Sequence, residues 1–269
     1  MHAHCQRVRA RVHCPGALTL SPALSPSPPP PLCSHEFDYR YDSPNDPSGP
    51  SRMRKGSPAW FDGDVDSLGE CGVGTLQRFR APLGGNSIFW YSFASGSATI
   101  LMLSSEHLLS PGSPQGAFLE ATLAAVNRSL TPWVIVSLHR QMYSLTGSEQ
   151  SMQDGFRAEL EPVFARHAVD LVMMGHLHSS QRTCQVLNNS CTPGAPVYII
   201  SGSSGAMLEP YPLSDPNGLV RFYEPGACGI YWVAIKNSSH LQLQWVRNND
   251  TAVRDEAWIV KGSQASQQL

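Results

Sequence analysis

The chain has 269 residues, 41% of them hydrophobic and 15% charged, with a formal net charge of −2. That length can bury a full core and hold one or two domains. The near-neutral balance excludes a basic nucleic-acid binder, and no stretch approaches the ~20 apolar residues that a membrane span needs.

The first 33 residues differ from the rest. Residues 25–31 read SPSPPPP, a composition that favours polyproline II and cannot build a core, so residues 1–33 are expected to form a disordered head outside the fold. Residues 16–24 are only weakly apolar and are interrupted by Ser21 and Pro22, a poor core for a signal peptide. From Ile88 onward the pattern is that of a folded α/β domain. Residues 87–93 alternate Ile88, Trp90 and Ser92 against Phe89, Tyr91 and Phe93, and 98–103 form an apolar run; both read as strands. Ser113 and Pro114 then supply an N-cap and a first-turn proline, and Leu119, Leu123, Val126 and Leu130 recur at helical spacing as one buried face. A buried strand over 133–138 precedes a second helix with Met152, Phe156, Leu160 and Phe164 on its inner stripe. Further strands follow at 169–174 and 196–201. Strand, helix, strand, helix, strand at short spacing predicts parallel crossovers in an α/β sheet. The tail changes character: 229–235 and 240–246 read as antiparallel strands joined through 236–239, with 255–260 as a last strand and 263–269 as a disordered tail.

Seven cysteines are present and none forms a CxxC pair, which removes a zinc ribbon. Cys184 and Cys191 are near enough in sequence to staple a loop in an oxidising compartment. Four Asn-x-Ser/Thr triplets, at Asn127, Asn188, Asn237 and Asn249, point to the same secretory route.

The residues that carry chemistry follow two of the strands. His139 comes directly after the strand at 133–138, and Gly175-His176-Leu177-His178 directly after the strand at 169–174. Ligands collect at the carboxyl ends of strands in open α/β sheets, so both loops are expected at one edge. Imidazole is a ligand for zinc and iron, and Gly175 lets the backbone bend tightly there. The histidines at positions 2, 4, 13, 107, 167 and 240 are read as ordinary surface or core residues.

SLHRQMYS (137–144) and GHLHSSQRTC (175–184) resemble the later metal motifs of the purple acid phosphatases, within the metallophosphoesterase superfamily. ECGVGTLQRF (70–79), WYSF (90–93), SSEHLLSPGSPQ (104–115) and TPWVIV (131–136) are similar to connecting segments of the large plant-type enzymes. HLQLQWVRNNDTAVRDEAWIV (240–260) resembles their C-terminal extension, and the likeness runs collinearly from about Ser34 to Lys261. It implies an α/β fold: the C-terminal half of a metallophosphoesterase αββα sandwich over 34–202, and an antiparallel β extension over 203–262. It also implies hydrolysis of small phosphate monoesters at a binuclear centre, Fe(III) with Zn, Mn or Fe(II), in a secreted, cell-wall or vacuolar protein; a homodimer is compatible with it.

By the same resemblance His139 and His176 bind the divalent metal and His178 the ferric iron. SHEFDY (34–39) looks like the family's Asn-His-Glu motif, which makes His35 the residue that contacts phosphate and helps to protonate the leaving group. Ser34 stands where a metal-ligating asparagine belongs. The family's remaining ligands, two aspartates and a tyrosine, belong upstream of this motif, and residues 1–33 contain no Asp, Glu or Tyr. Asp62-Gly63-Asp64 falls on the wrong side of the motif to replace them. The expectation is an N-terminally truncated domain that holds at most one metal, weakly, and is inactive or impaired. The rival readings are a pseudoenzyme that binds phosphate or one metal, and a secreted interaction domain. Milder departures are Gln141 at a proline position, and Ser180 and Gln181 where Tyr-Glu is usual.

Overall fold

A computed structural model describes residues 85–145, 150–205, 208 and 214–262. The head at 1–33, Ser34, His35, Asp62 to Asp64 and the tail at 263–269 lie outside the described residues.

The first strand, β1 (Tyr91–Ser95), runs antiparallel to β2 (Ala98–Met102). This corrects the reading of 87–93: the stretch before Tyr91 forms a turn closed by an Asn86–Trp90 bridge, and Ile88, Phe89 and Trp90 are buried as turn residues. Alternation alone does not separate a strand from a tight turn that buries all its apolar side chains. Helix α1 (Pro114–Ala124) starts as expected, with the Ser113 hydroxyl accepting from the Gly116 N–H at 3.0 Å. It ends at Ala125, earlier than its apolar spacing suggests, so Leu130 lies beyond it and is 72% exposed. Next come β3 (Trp133–Ser137), helix α2 (Gln150–Arg166) and β4 (Leu171–Met174). Met152, Phe156, Leu160 and Phe164 on α2 are all buried. Strands β5 (Ser180–Leu187) and β6 (Ser190–Cys191) form a hairpin, and β7 (Val197–Ser201) and β8 (Val220–Glu224) complete the first sheet. Its order is β1-β2-β3-β4-β7-β5-β6, with β8 beside β5, and the run β2-β3-β4-β7 is parallel. A second sheet holds β9 (Gly229–Ile235), β10 (His240–Arg247) and β11 (Val253–Val260), all antiparallel.

The parallel strands are buried on both faces, and alternate residues feed two cores. Leu101, Val134, Val136, Val172 and Tyr198 pack under the helices. Ile100, Trp133, Ile135, Leu171, Met173 and Ile199 face the other way, onto Tyr231, Leu241, Leu243 and Trp245 of the second sheet. The layers are therefore helix, mixed sheet, antiparallel sheet: the α/β class with an antiparallel extension. Polar contacts also join the sheets: Arg182 on β5 grips Asp255 on β11 through two bonds of 2.7 and 2.8 Å, the Trp245 indole donates to Ser180 Oγ at 2.7 Å, and the Trp133 indole donates to the Asn237 carbonyl at 2.8 Å. At the amino ends of β3 and β4, Asp170 accepts from Arg128, from the Val134 N–H and from Lys261, whose ammonium also reaches the Pro132 carbonyl. No described helix is long and apolar enough to cross a membrane.

Candidate metal centre

Strands β3 and β4 are parallel neighbours in register Ser137↔Met173, so their carboxyl ends open at one edge of the sheet. The chain leaves β3 into Leu138-His139 and β4 into Gly175-His176. These loops are stitched together: the Leu138 N–H donates to the Met173 carbonyl at 3.0 Å, and the Gly175 N–H to the His139 carbonyl at 2.8 Å. His139 Nε2 then lies 3.1 Å from His176 Nδ1, with the rings edge-on and their centroids 5.0 Å apart. His139 is buried, and His176 and His178 are half-buried.

The turn that carries the His-x-His is unusually tight. His176 has φ +65°, a left-handed conformation that costs an ordinary residue energy and persists only where its surroundings impose it. Leu177 N–H bonds back to the Gly175 carbonyl at 2.7 Å, and Ser179 N–H to the Leu177 carbonyl at 2.8 Å. The loop after β7 closes on this turn: Gly202 N–H donates to the Ser179 carbonyl at 3.1 Å. A Cβ on Gly202 would stand 1.8 Å from the Leu177 carbonyl oxygen, so only glycine permits the approach.

Beneath the turn lies a buried polar layer centred on Ser180 and Gln181. Ser180 Oγ accepts the Trp245 indole N–H and pairs with Ser203 Oγ at 2.5 Å. Gln181 accepts from the Leu145 N–H at 2.8 Å and donates to Ser179 Oγ at 3.0 Å. On the other flank Arg140, next to His139, donates through Nε to Glu106 at 2.8 Å; the Glu106 side chain is fully buried. Arg140 also donates from its backbone N–H to Ser105 Oγ at 3.3 Å. His107 bonds Ser104 Oγ at 2.6 Å and packs against Phe89 and Trp90; burial lowers its pKa to about 3. Tyr143 is held well above the ordinary phenol range by burial and by its bond to Glu161 at 2.5 Å.

Sequence reading overlooked Glu106 and Arg140 and took His107 as ordinary. The available signal was position: a Ser-Ser-Glu-His run directly after the apolar strand β2 falls on the same sheet edge as the histidines.

The donor set decides what the edge can hold. Two nitrogens on one tetrahedral zinc at ~2.0–2.1 Å would stand about 3.3 Å apart, close to the His139–His176 separation. These two imidazoles therefore fit one ion. Among the described residues no group of three His, Cys, Asp or Glu side chains gathers to hold a metal. The carboxylate donors that the resemblance implies belong upstream of His35, outside the described residues.

Asn127, Asn188, Asn237 and Asn249 are all exposed. Cys184 and Cys191 are joined as a disulfide across the β5–β6 hairpin, with Cα atoms 5.7 Å apart, and Cys228 is disulfide-bonded as well.

Comparison with known proteins gives this edge a lineage. Residues 195–256 match the family model described as iron/zinc purple acid phosphatase-like protein C. The chain is 30% identical over 250 residues to the probable inactive purple acid phosphatase 9 of Arabidopsis thaliana, covering 83% of this chain and 37% of that protein. It is 33% identical over 201 residues to purple acid phosphatase 1 of Ipomoea batatas, covering 68% and 42%. Among solved structures, the purple acid phosphatase PPD1 from yellow lupin seeds superposes with a TM-score of 0.69 at 27% identity, covering 84% of this chain and 39% of that one. The chain thus spans about two fifths of the length of these relatives. With motifs, layers and relatives in agreement, the chain belongs to the purple acid phosphatase family.

Proposed function

We propose that this chain presents a reduced phosphate-ester hydrolase centre, holding one divalent ion between His139 and His176 and binding phosphate esters with little or no turnover. The observation that carries the reading is the 3.1 Å approach of His139 Nε2 to His176 Nδ1 across two neighbouring strand ends. An intact family centre would hydrolyse phosphate monoesters with Fe(III) and Zn, Mn or Fe(II), supplying a metal-activated water and neutralising phosphoryl charge. Residues 1–33, where the resemblance would place its acidic donors, contain no Asp, Glu or Tyr, and one relative's own name marks that protein as probably inactive. His35, as the phosphate-contacting residue, and His178, as a donor from the same turn, belong to this proposal on the motif resemblance.

The proposal includes a secretory route. The Cys184–Cys191 disulfide needs an oxidising compartment, and four exposed sequon asparagines suit N-glycosylation.

Calorimetric titration with zinc, paired with an assay on a chromogenic phosphate monoester, tests the centre. One equivalent bound, lost in both His139→Ala and His176→Ala, and no metal-dependent turnover are expected. Two equivalents bound with turnover would overturn the reduced-centre reading. Zinc binding unchanged in both variants would remove the pair as ligands.

A further inference from the structure

The outward face of the second sheet has a composition that its fold does not require. Leu241, Leu243 and Trp245 of β10 point into the core, which sends Gln242 and Gln244 outward. Register places Trp232 of β9 and Glu256 of β11 on either side of Gln244, and Ala234 and Trp258 on either side of Gln242. Both indoles are exposed, at 47% each. Between them Glu256 gathers donors: Gln242 Nε2 at 3.0 Å, Gln244 Nε2 at 3.1 Å and the Trp258 indole N–H at 3.3 Å. Two aromatic faces thus flank a flat, fixed hydrogen-bonding centre, with the small Ala234 side chain leaving the surface low beside it.

One of the sequons opens onto this face. Asn237 sits in the β9–β10 turn, exposed, and its Oδ1 accepts from the Ser239 N–H at 2.9 Å, Ser239 Oγ at 3.0 Å and the His240 N–H at 2.9 Å. The carboxamide is therefore oriented with Nδ2, the atom a glycan would take, turned away from the turn. Ser239 Oγ also bonds the His240 ring at 2.8 Å, and that ring stands edge-on to Trp258 with centroids 6.4 Å apart. One serine and one histidine connect the attachment residue to the indole.

We infer that the N-glycan borne on Asn237 folds back along the sheet and packs its inner sugars on Trp258, with their hydroxyls meeting Gln242, Gln244 and Glu256. A pyranose offers an apolar C–H face and a rim of hydroxyls, the complement of an indole beside amides and a carboxylate. Packing would also cover the aromatic patch formed by the two exposed indoles, where uncovered apolar surface invites association. The inference rests on the secretory reading above, because the glycan is added only on that route.

The full chain, expressed with an added secretion leader in a eukaryotic host, provides the test. Glycopeptide mass spectrometry first reports occupancy of Asn237; an unmodified Asn237 overturns the inference through the secretory reading, not through the packing. With Asn237 occupied, glycan release from the folded protein by a glycan amidase is followed beside a denatured sample. A glycan docked for most of its time is released about ten-fold more slowly from the folded wild type than from Trp258→Gln. Equal rates in the two would overturn the packing. Acrylamide quenching gives a second reading that needs no change at Trp258: Asn237→Gln is expected to quench more strongly than the glycosylated wild type. Quenching that depends on protein concentration rather than on Asn237 would assign the face to a second copy and overturn the inference.

Discussion

His107 shows how far burial moves a single side chain at this edge. Its imidazole is held neutral down to about pH 3, against 6.5 for the free group, by loss of hydration among Phe89, Trp90 and Ser104. Between those values the unfolded chain takes up a proton that the folded chain refuses. Stability from this residue is thus complete above pH 6.5 and falls as the pH drops toward 3. Comparing urea midpoints at neutral pH and at about pH 4.5, His107→Gln is expected to lose less stability on acidification than wild type, by ~2 kcal/mol. An unchanged acid slope would show that the imidazole is protonated in place. Glu106 and Arg140 make the complementary case, a buried ion pair whose net value is small but whose halves are costly alone. Arg140→Met strands the Glu106 carboxylate and is expected to cost about 3–5 kcal/mol, read by denaturant unfolding. A double change, Glu106→Gln with Arg140→Met, is expected to recover part of that loss.

Among the elements, the loop after β7 limits the His-x-His turn. Gly202→Ala drives a methyl into the Leu177 carbonyl, so the turn must shift, at a cost of about 1–3 kcal/mol, and zinc affinity is expected to fall with it. A stable variant that binds zinc as wild type would show that this approach is dispensable. The same region marks where sequence patterning stops informing. Helix α2 was legible because Met152, Phe156, Leu160 and Phe164 repeat at a helical interval, and β3, β4 and β7 because buried parallel strands are unbroken apolar runs. Strand β5 went unread: Ser180, Gln181, Arg182 and Thr183 look like loop, yet three of the four are buried, their polar groups satisfied by Trp245, Leu145 and Tyr198 from distant parts of the chain. Strand β8 was missed as well, its Val220, Phe222 and Glu224 only partly buried beside β5. The convergence of His139 with His176 followed from the strand-end rule, whereas the Glu106–Arg140 pair depends on a contact across 34 positions that spacing does not encode.

At the scale of the molecule, the two sheets behave as one body through a few polar stitches laid over a shared core. Arg182 and Asp255 are nearly enclosed, with side-chain exposures of 13% and 9%, and each would be left as an unpaired charge by loss of the other. Asp255→Ala is expected to destabilise the whole chain by about 3 kcal/mol in a single transition. Two separate unfolding transitions would show instead that the sheets melt independently. Because the Trp245 indole reaches Ser180 directly behind the His-x-His turn, the second sheet also serves as backing for the histidine edge. The clasp of Lys261 on Asp170 and Pro132 lies at the amino ends of β3 and β4, whereas the histidines follow their carboxyl ends. A chain tethered beyond Lys261 would thus stand on a sensor surface with its histidine edge outward, about one strand length, ~16 Å, from the anchor. Immobilised through a C-terminal tag free of histidines, the protein would present that edge toward metal ions and phosphate esters flowing past.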